Sequence, residues 1–109
     1  MKNDTLYLKH ILKSITDIEE FTSEGRNRFY ESRLIQAAVI RNLEVIGEAS
    51  KHVSNEIRKW YPEMPWKQMA GLRDVLIHDY MGVDLDIIWN VVQREIPKIK
   101  KMIVTILAE

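Results

Sequence analysis

Cysteine is absent from the 109-residue sequence, which removes structural disulfides, Cys-ligated zinc, thiol nucleophiles and thiol redox chemistry. Helix breakers are scarce: four Gly and three Pro leave long stretches free to form regular structure. Net charge is also missing, because 16 Lys plus Arg balance 16 Asp plus Glu, so no broad field draws the chain to a polyanion and any such site must be local. No segment approaches the ~20 consecutive apolar residues of a membrane span. Met1-Lys2-Asn3-Asp4-Thr5 runs straight into an amphipathic pattern, without the apolar run of a signal peptide. What remains is a composition, 46% hydrophobic and 29% charged, that suits one globular core. We read residues 1–109 as a single cytoplasmic domain.

Apolar residues recur at helical spacing along the chain. Leu8, Ile11, Leu12, Ile15, Ile18 and Phe21 form one stripe, with Asn3, Asp4 or Thr5 available as a cap, and Ser23 and Gly25 mark a turn over 22–27. A second pattern runs from about Arg28 to Trp60 through Ile35, Val39, Leu43, Ile46, Ala49, Val53 and Ile57, and Leu34, Ala38 and Val45 widen it. As one helix it would be on the order of 45 Å long and could serve two packing surfaces, which suggests a dimer. Tyr61-Pro62-Glu63-Met64-Pro65-Trp66 closes it and opens a third helix over about 65–79. A fourth, about 85–107, carries Leu85, Ile88, Val92, Ile96, Ile99, Ile103 and Ile106, with Pro97 expected to kink it. The predicted fold is all-α, an up-and-down four-helix bundle with a long second helix and a Pro-kinked fourth.

Chemistry concentrates in Gly71-Leu72-Arg73-Asp74-Val75-Leu76-Ile77-His78-Asp79-Tyr80, which holds a permanent cation, a group titrating near neutrality and a phenol. An imidazole can take a proton from a ribose 2′-hydroxyl or give one to a leaving oxygen. A guanidinium can hold phosphate oxygens as charge builds on them, and neither step needs a metal. On a regular helix Arg73 and His78 point about 140° apart, whereas Arg73 and Tyr80 share a face. Either the helix loosens near His78, the Arg73 side chain reaches around, or two subunits share one cleft. In the plainer alternative Arg73 pairs with an acid, His78 favours its helix C-terminus and Tyr80 packs on the core edge. His10 and His52 lie in other segments, and no two His stand at i, i+4, which argues against a His-based metal site. Arg41, Glu44 and Glu48 fall near one face of the second helix. They read as an ion-pair ladder, or Glu48 orients Arg73 or His78. Trp60, Trp66 and Trp89 read as anchors between helices or as stacking platforms for bases.

Arg73, His78 and Tyr80 match the RxxxxHxY signature, and on this basis the sequence resembles the HEPN-domain toxins of the HepT group. The likeness spans nearly the whole chain. Pro65-Trp66 followed by Gly71-Leu72-Arg73 is similar to that family's PW…GLR lead-in, and Asp84 with Trp89 to its D…W. Gln36-Ala37, Arg41-Asn42-Leu43 and Ile46-Gly47-Glu48-Ala49 resemble its second-helix pattern. Asp74 departs from it, since relatives often carry Asn there, and a carboxylate at 74 either weakens phosphate binding or holds the guanidinium in place.

The resemblance implies a homodimeric bundle acting as a ribonuclease toxin, with Arg73 and His78 catalytic in a cleft between subunits and no cofactor. It also implies RNA as substrate and a minimal nucleotidyltransferase antitoxin as partner, which silences the toxin by attaching AMP to Tyr80. Bulk and negative charge would then block the cleft. A non-catalytic helical module that partners such a nucleotidyltransferase is the competing expectation.

Overall fold

The computed structural model describes residues 2–72, 74 and 84–109. These residues fold as an all-α bundle, as the periodicity predicts, with no strand among them. Helices α1 (Lys2–Phe21) and α3 (Arg33–His52) pack side by side along their length. Ile11, Ile15 and Ile18 of α1 and Val39 and Ile46 of α3 are fully enclosed. Burying each such aliphatic side chain contributes about 1.5–3 kcal/mol, which makes this seam the principal source of stability. The expected stripe of α1 is thus the buried one, except that Phe21 at its end is exposed. The helix stops at Phe21, and after a short turn Gly25, at φ 93°, stands at the start of α2 (Arg26–Glu31). A Cβ there would meet nothing within 4 Å, so the demand for glycine is conformational rather than steric.

The single long second helix expected over 28–60 is instead three helices: α2 (Arg26–Glu31), α3 and α4 (Asn55–Trp60). Serines make both breaks. Ser32 is extended, and its Oγ accepts the Ile35 N–H at 3.1 Å to cap α3. Gln36 Nε2 then donates to the Phe29 and Tyr30 carbonyls at 3.0 and 3.2 Å, satisfying the end of α2. At the far end Ser54 caps α4 by accepting from the Ile57 N–H. Arg58 folds back to donate to the Ser50 and Val53 carbonyls at 2.7 and 3.2 Å. A side-chain hydroxyl that bonds its own backbone offers the chain an alternative to the helical ladder, so each Ser ends one helix and starts another. Leu34, expected to widen the apolar stripe, is 81% exposed.

Asp4 does not cap α1. It is buried, and its carboxylate accepts from the Ser54 N–H at 2.8 Å and from the Ser54 hydroxyl at 2.7 Å. The start of α1 is thereby tied to the joint between α3 and α4, which fixes α1 and α3 as antiparallel.

Met64, in the turn before α5 (Trp66–Ala70), and Trp66, its first residue, are buried, and α5 packs on α3. Leu72 and Asp74 are helical, and the rest of the expected third helix lies outside the described residues. The final helical run comprises α6 (Leu85–Asn90), a π turn (Val91–Glu95) and α7 (Ile96–Ala108). Pro97 lacks an N–H, and its ring would collide with the Gln93 carbonyl in a regular α-helix. The chain answers by widening, and the Ile96 N–H donates five residues back to the Val91 carbonyl. Ile88 and Ile96 would drift about 80° apart on an unbroken α-helix. The wide turn takes up that drift, and Ile88, Val92 and Ile96 are all buried. Lys100 reaches Glu19 at 2.9 Å, holding α7 against α1.

Replacing Asp4 by Ala is expected to lower stability by about 2–3 kcal/mol, since it removes two charge-assisted bonds from a buried site. Ser54→Ala should cost about 1–2 kcal/mol through the lost cap. Urea unfolding of both single variants and the double variant checks this: the double variant should lose clearly less than the two single losses added together. Strict additivity would mean that the contact does not join the two helices.

Candidate functional site

Arg73, His78 and Tyr80 lie outside the described residues. What the structure shows is how the chain is fastened on either side of them. Upstream, Trp66 is buried with its indole N–H donated to the Tyr61 carbonyl at 3.0 Å, and Met69 is buried one turn later. Gly71 follows, its N–H donated to the Lys67 carbonyl. Asp74, the departure from the family pattern, is exposed.

Downstream, Asp84 caps α6 by accepting from the Asp86 and Ile87 N–H groups at 2.9 and 3.4 Å. Trp89 packs on Phe29 of α2 with ring centroids 5.2 Å apart. The Tyr30 hydroxyl donates to Asp86 Oδ1, and the Arg26 guanidinium lies 4.9 Å from the centre of the Tyr30 ring. The hydrogen bond to Asp86 raises the Tyr30 pKa above its ordinary value. Burial and the Asp86 charge add to this, and Arg26 opposes it. The Pro65-Trp66 and Asp84…Trp89 pairs therefore secure the two ends of the segment that bears the motif. Two of the three tryptophans are anchors, as one of the two readings had it, while Trp60 is 69% exposed.

Glu48 sits on α3 with His52 Nε2 at 3.5 Å from its Oε1, an ion pair when the imidazole is protonated. Arg41, Glu44 and Glu48 do share a face, and together with Tyr7, His10 and His52 they line a groove of about 420 Å³ between α1 and α3. His52 stacks on Tyr7, with centroids 5.0 Å apart and planes 19° from parallel, and His10 meets Tyr7 edge-on at 6.4 Å. Sequence reasoning set the two histidines apart because they stand in different segments. The spacings of Tyr7 to His10 and of Glu48 to His52, each one helical turn, were the available signal. Among the described residues no group of three or more His, Asp or Glu side chains is placed to hold a metal ion. None of the helices there is long and apolar enough to cross a membrane.

The chain is thus a helical-bundle domain in which the segment bearing Arg73, His78 and Tyr80 runs between the anchored Pro65-Trp66 and Asp84…Trp89 pairs. A family model described as Ribonuclease HepT-like matches residues 11–106, and the chain belongs to that family. A protein of Methanocaldococcus jannaschii named as a candidate RNase is 47% identical over 96 residues, covering 87% of this chain and 88% of the relative. The "Probable ribonuclease HepT" of Thermococcus cleftensis is 47% identical over 95 residues, or 86% of each chain. The mRNA nuclease HepT of Shewanella oneidensis is 28% identical over 123 aligned positions, covering 91% of this chain and 92% of the relative. No solved structure matches the chain.

Because the Tyr30 pKa is raised in the folded protein, the stability that this contact adds is present through neutral pH and is lost as pH rises through the folded pKa. Ultraviolet titration of the phenols, with Tyr30→Phe as the difference control, should place Tyr30 above an ordinary tyrosine. Asp86→Asn should bring it back down, and an unshifted Tyr30 in the parent chain would contradict the contact.

Proposed function

We propose that this protein is a metal-independent endoribonuclease, the toxin of a toxin–antitoxin pair. The observation that carries the reading is the intact Arg73, His78 and Tyr80 motif, bounded by anchored turns, in a chain of the HepT-like ribonuclease family. The names of the Thermococcus and Shewanella relatives point the same way.

In the proposed reaction a ribose 2′-oxygen attacks the adjacent phosphorus and the bond to the 5′-oxygen breaks. His78 either takes the proton of the 2′-hydroxyl or supplies one to the leaving 5′-oxygen, and water serves the other transfer. Arg73 holds the non-bridging oxygens as negative charge gathers on them, for which a bidentate guanidinium is suited. Tyr80 positions the strand, and Glu48 serves as a supporting acid that orients the site. Two subunits share the cleft, as the family resemblance implies. The cognate partner is a minimal nucleotidyltransferase that attaches AMP to Tyr80 and closes the cleft with bulk and charge.

The balanced net charge and the exposed Asp74 beside position 73 favour one alternative, a non-catalytic module that presents Tyr80 to that enzyme.

Expression of the parent chain, Arg73→Ala and His78→Ala in a bacterial host separates the two. The nuclease reading expects growth arrest with RNA cleavage by the parent chain, and a loss on the order of 10²-fold or more in each variant. In vitro, cleavage should survive EDTA and show a pH limb that is lost in His78→Ala. Intact RNA with soluble parent protein would shift the assignment to the binding module.

A further inference from the structure

The groove between α1 and α3 combines features that seldom meet by chance on a solvated helix face. Its walls offer an aromatic shelf, the stacked pair Tyr7 and His52, with about half of the His52 side chain exposed. Arg41 lines the same groove and makes no ion pair among the described residues, although Glu44 stands one turn away. His10 is exposed beside the shelf, and Val45 and Ala49 supply an apolar floor. The volume of about 420 Å³ lies within the range of small-molecule sites.

Each part answers one part of a ribonucleotide. A planar shelf takes a base, because every base presents a π-face to an aromatic ring. A guanidinium takes a phosphate, preferably with both oxygens. A carboxylate such as Glu44 accepts hydrogen bonds from sugar hydroxyls, the role acidic side chains play toward ribose in dinucleotide sites. A wall carrying Glu44 and Glu48 beside Arg41 also disfavours an extended polyanion track, which limits the site to about one nucleotide.

We infer that the Tyr7–His52 shelf with Arg41 is a single-nucleotide subsite that holds one residue of the RNA strand, built from side chains other than Arg73, His78 and Tyr80. The inference rests on the ribonuclease reading for the source of the nucleotide. Tyr7, His52 and Arg41 grip a base and its phosphate and add affinity without taking part in bond breaking.

Binding is best measured on the His78→Ala chain, so that the strand is not cut. The probe is a fluorescein-labelled single-stranded RNA of about 12 nucleotides, followed by anisotropy. Adding His52→Ala or Arg41→Ala is expected to weaken binding about tenfold. His52→Phe should restore most of what His52→Ala loses, since it keeps a stacking face. Arg41→Ala should also lower the slope of log affinity against log salt by about 0.7, the signature of one lost phosphate contact on a single strand. Unchanged affinity and slope in folded variants would overturn the subsite, as would an absence of RNA binding by the His78→Ala chain. Failure of His52→Phe to restore affinity would also count against a stacking role. Displacement of the strand by free 5′-AMP at equal nucleotide concentration would overturn the strand assignment and give the groove to a free nucleotide. Failure of the nuclease reading shows separately, as a parent chain that binds RNA through this groove and leaves it uncut.

Discussion

The close seam between α1 and α3 is the constraint on which everything else in this fold rests. Enclosed isoleucines and a valine meet there, and the net stability of a native domain is only about 5–15 kcal/mol, so one seam of this kind decides whether the chain folds. The seam also sets the registry of polar groups at its edge. Once Ile11 and Ile46 are committed to the interior, Tyr7 and His52 must meet on the outside, and Asp4 must arrive at Ser54. Polar contacts refine an alignment that hydrophobic burial has already chosen.

Around that seam the protein uses short helices and serine breaks instead of one long rod. A continuous helix from Arg26 to Trp60 would carry its last turns beyond the end of α1, leaving Val53 and Ile57 with nothing to cover them. Breaking at Ser54 folds α4 back, with Val53 buried and Ile57 partly buried against the core. Arg58 satisfies the carbonyls that the break exposes, its planar guanidinium donating to two of them at once.

Much of this was legible in the sequence, and the exceptions share a cause. Leu8, Ile11, Ile15 and Ile18 announce α1 because a single face of one helix is buried and the period is undisturbed. The breaks at Ser32 and Ser54 are silent, because apolar spacing runs on across them and neither Gly nor Pro marks the spot. A serine becomes a helix start only when the rest of the fold, here Asp4 and Gln36, finishes the arrangement. Arg73, His78 and Tyr80 stand out by residue type and spacing, a local signal, and the family match supports the domain that carries them. The shelf of Tyr7 and His52 could not be read in the same way, since it joins residues 45 positions apart through a helix pairing that no local pattern specifies.

The π turn ahead of Pro97 has a mechanical meaning. It divides one run of helix into two lengths whose windings are offset, and the two answer to different neighbours. The first length is held to α2 through Trp89 and Asp86, and the second to α1 through Lys100. Twist imposed on the first length, next to the motif, can be absorbed at the wide turn before it loads the second. The joint lets the two lengths keep different windings, so that each packs on its own neighbour while the isoleucine seam stays closed.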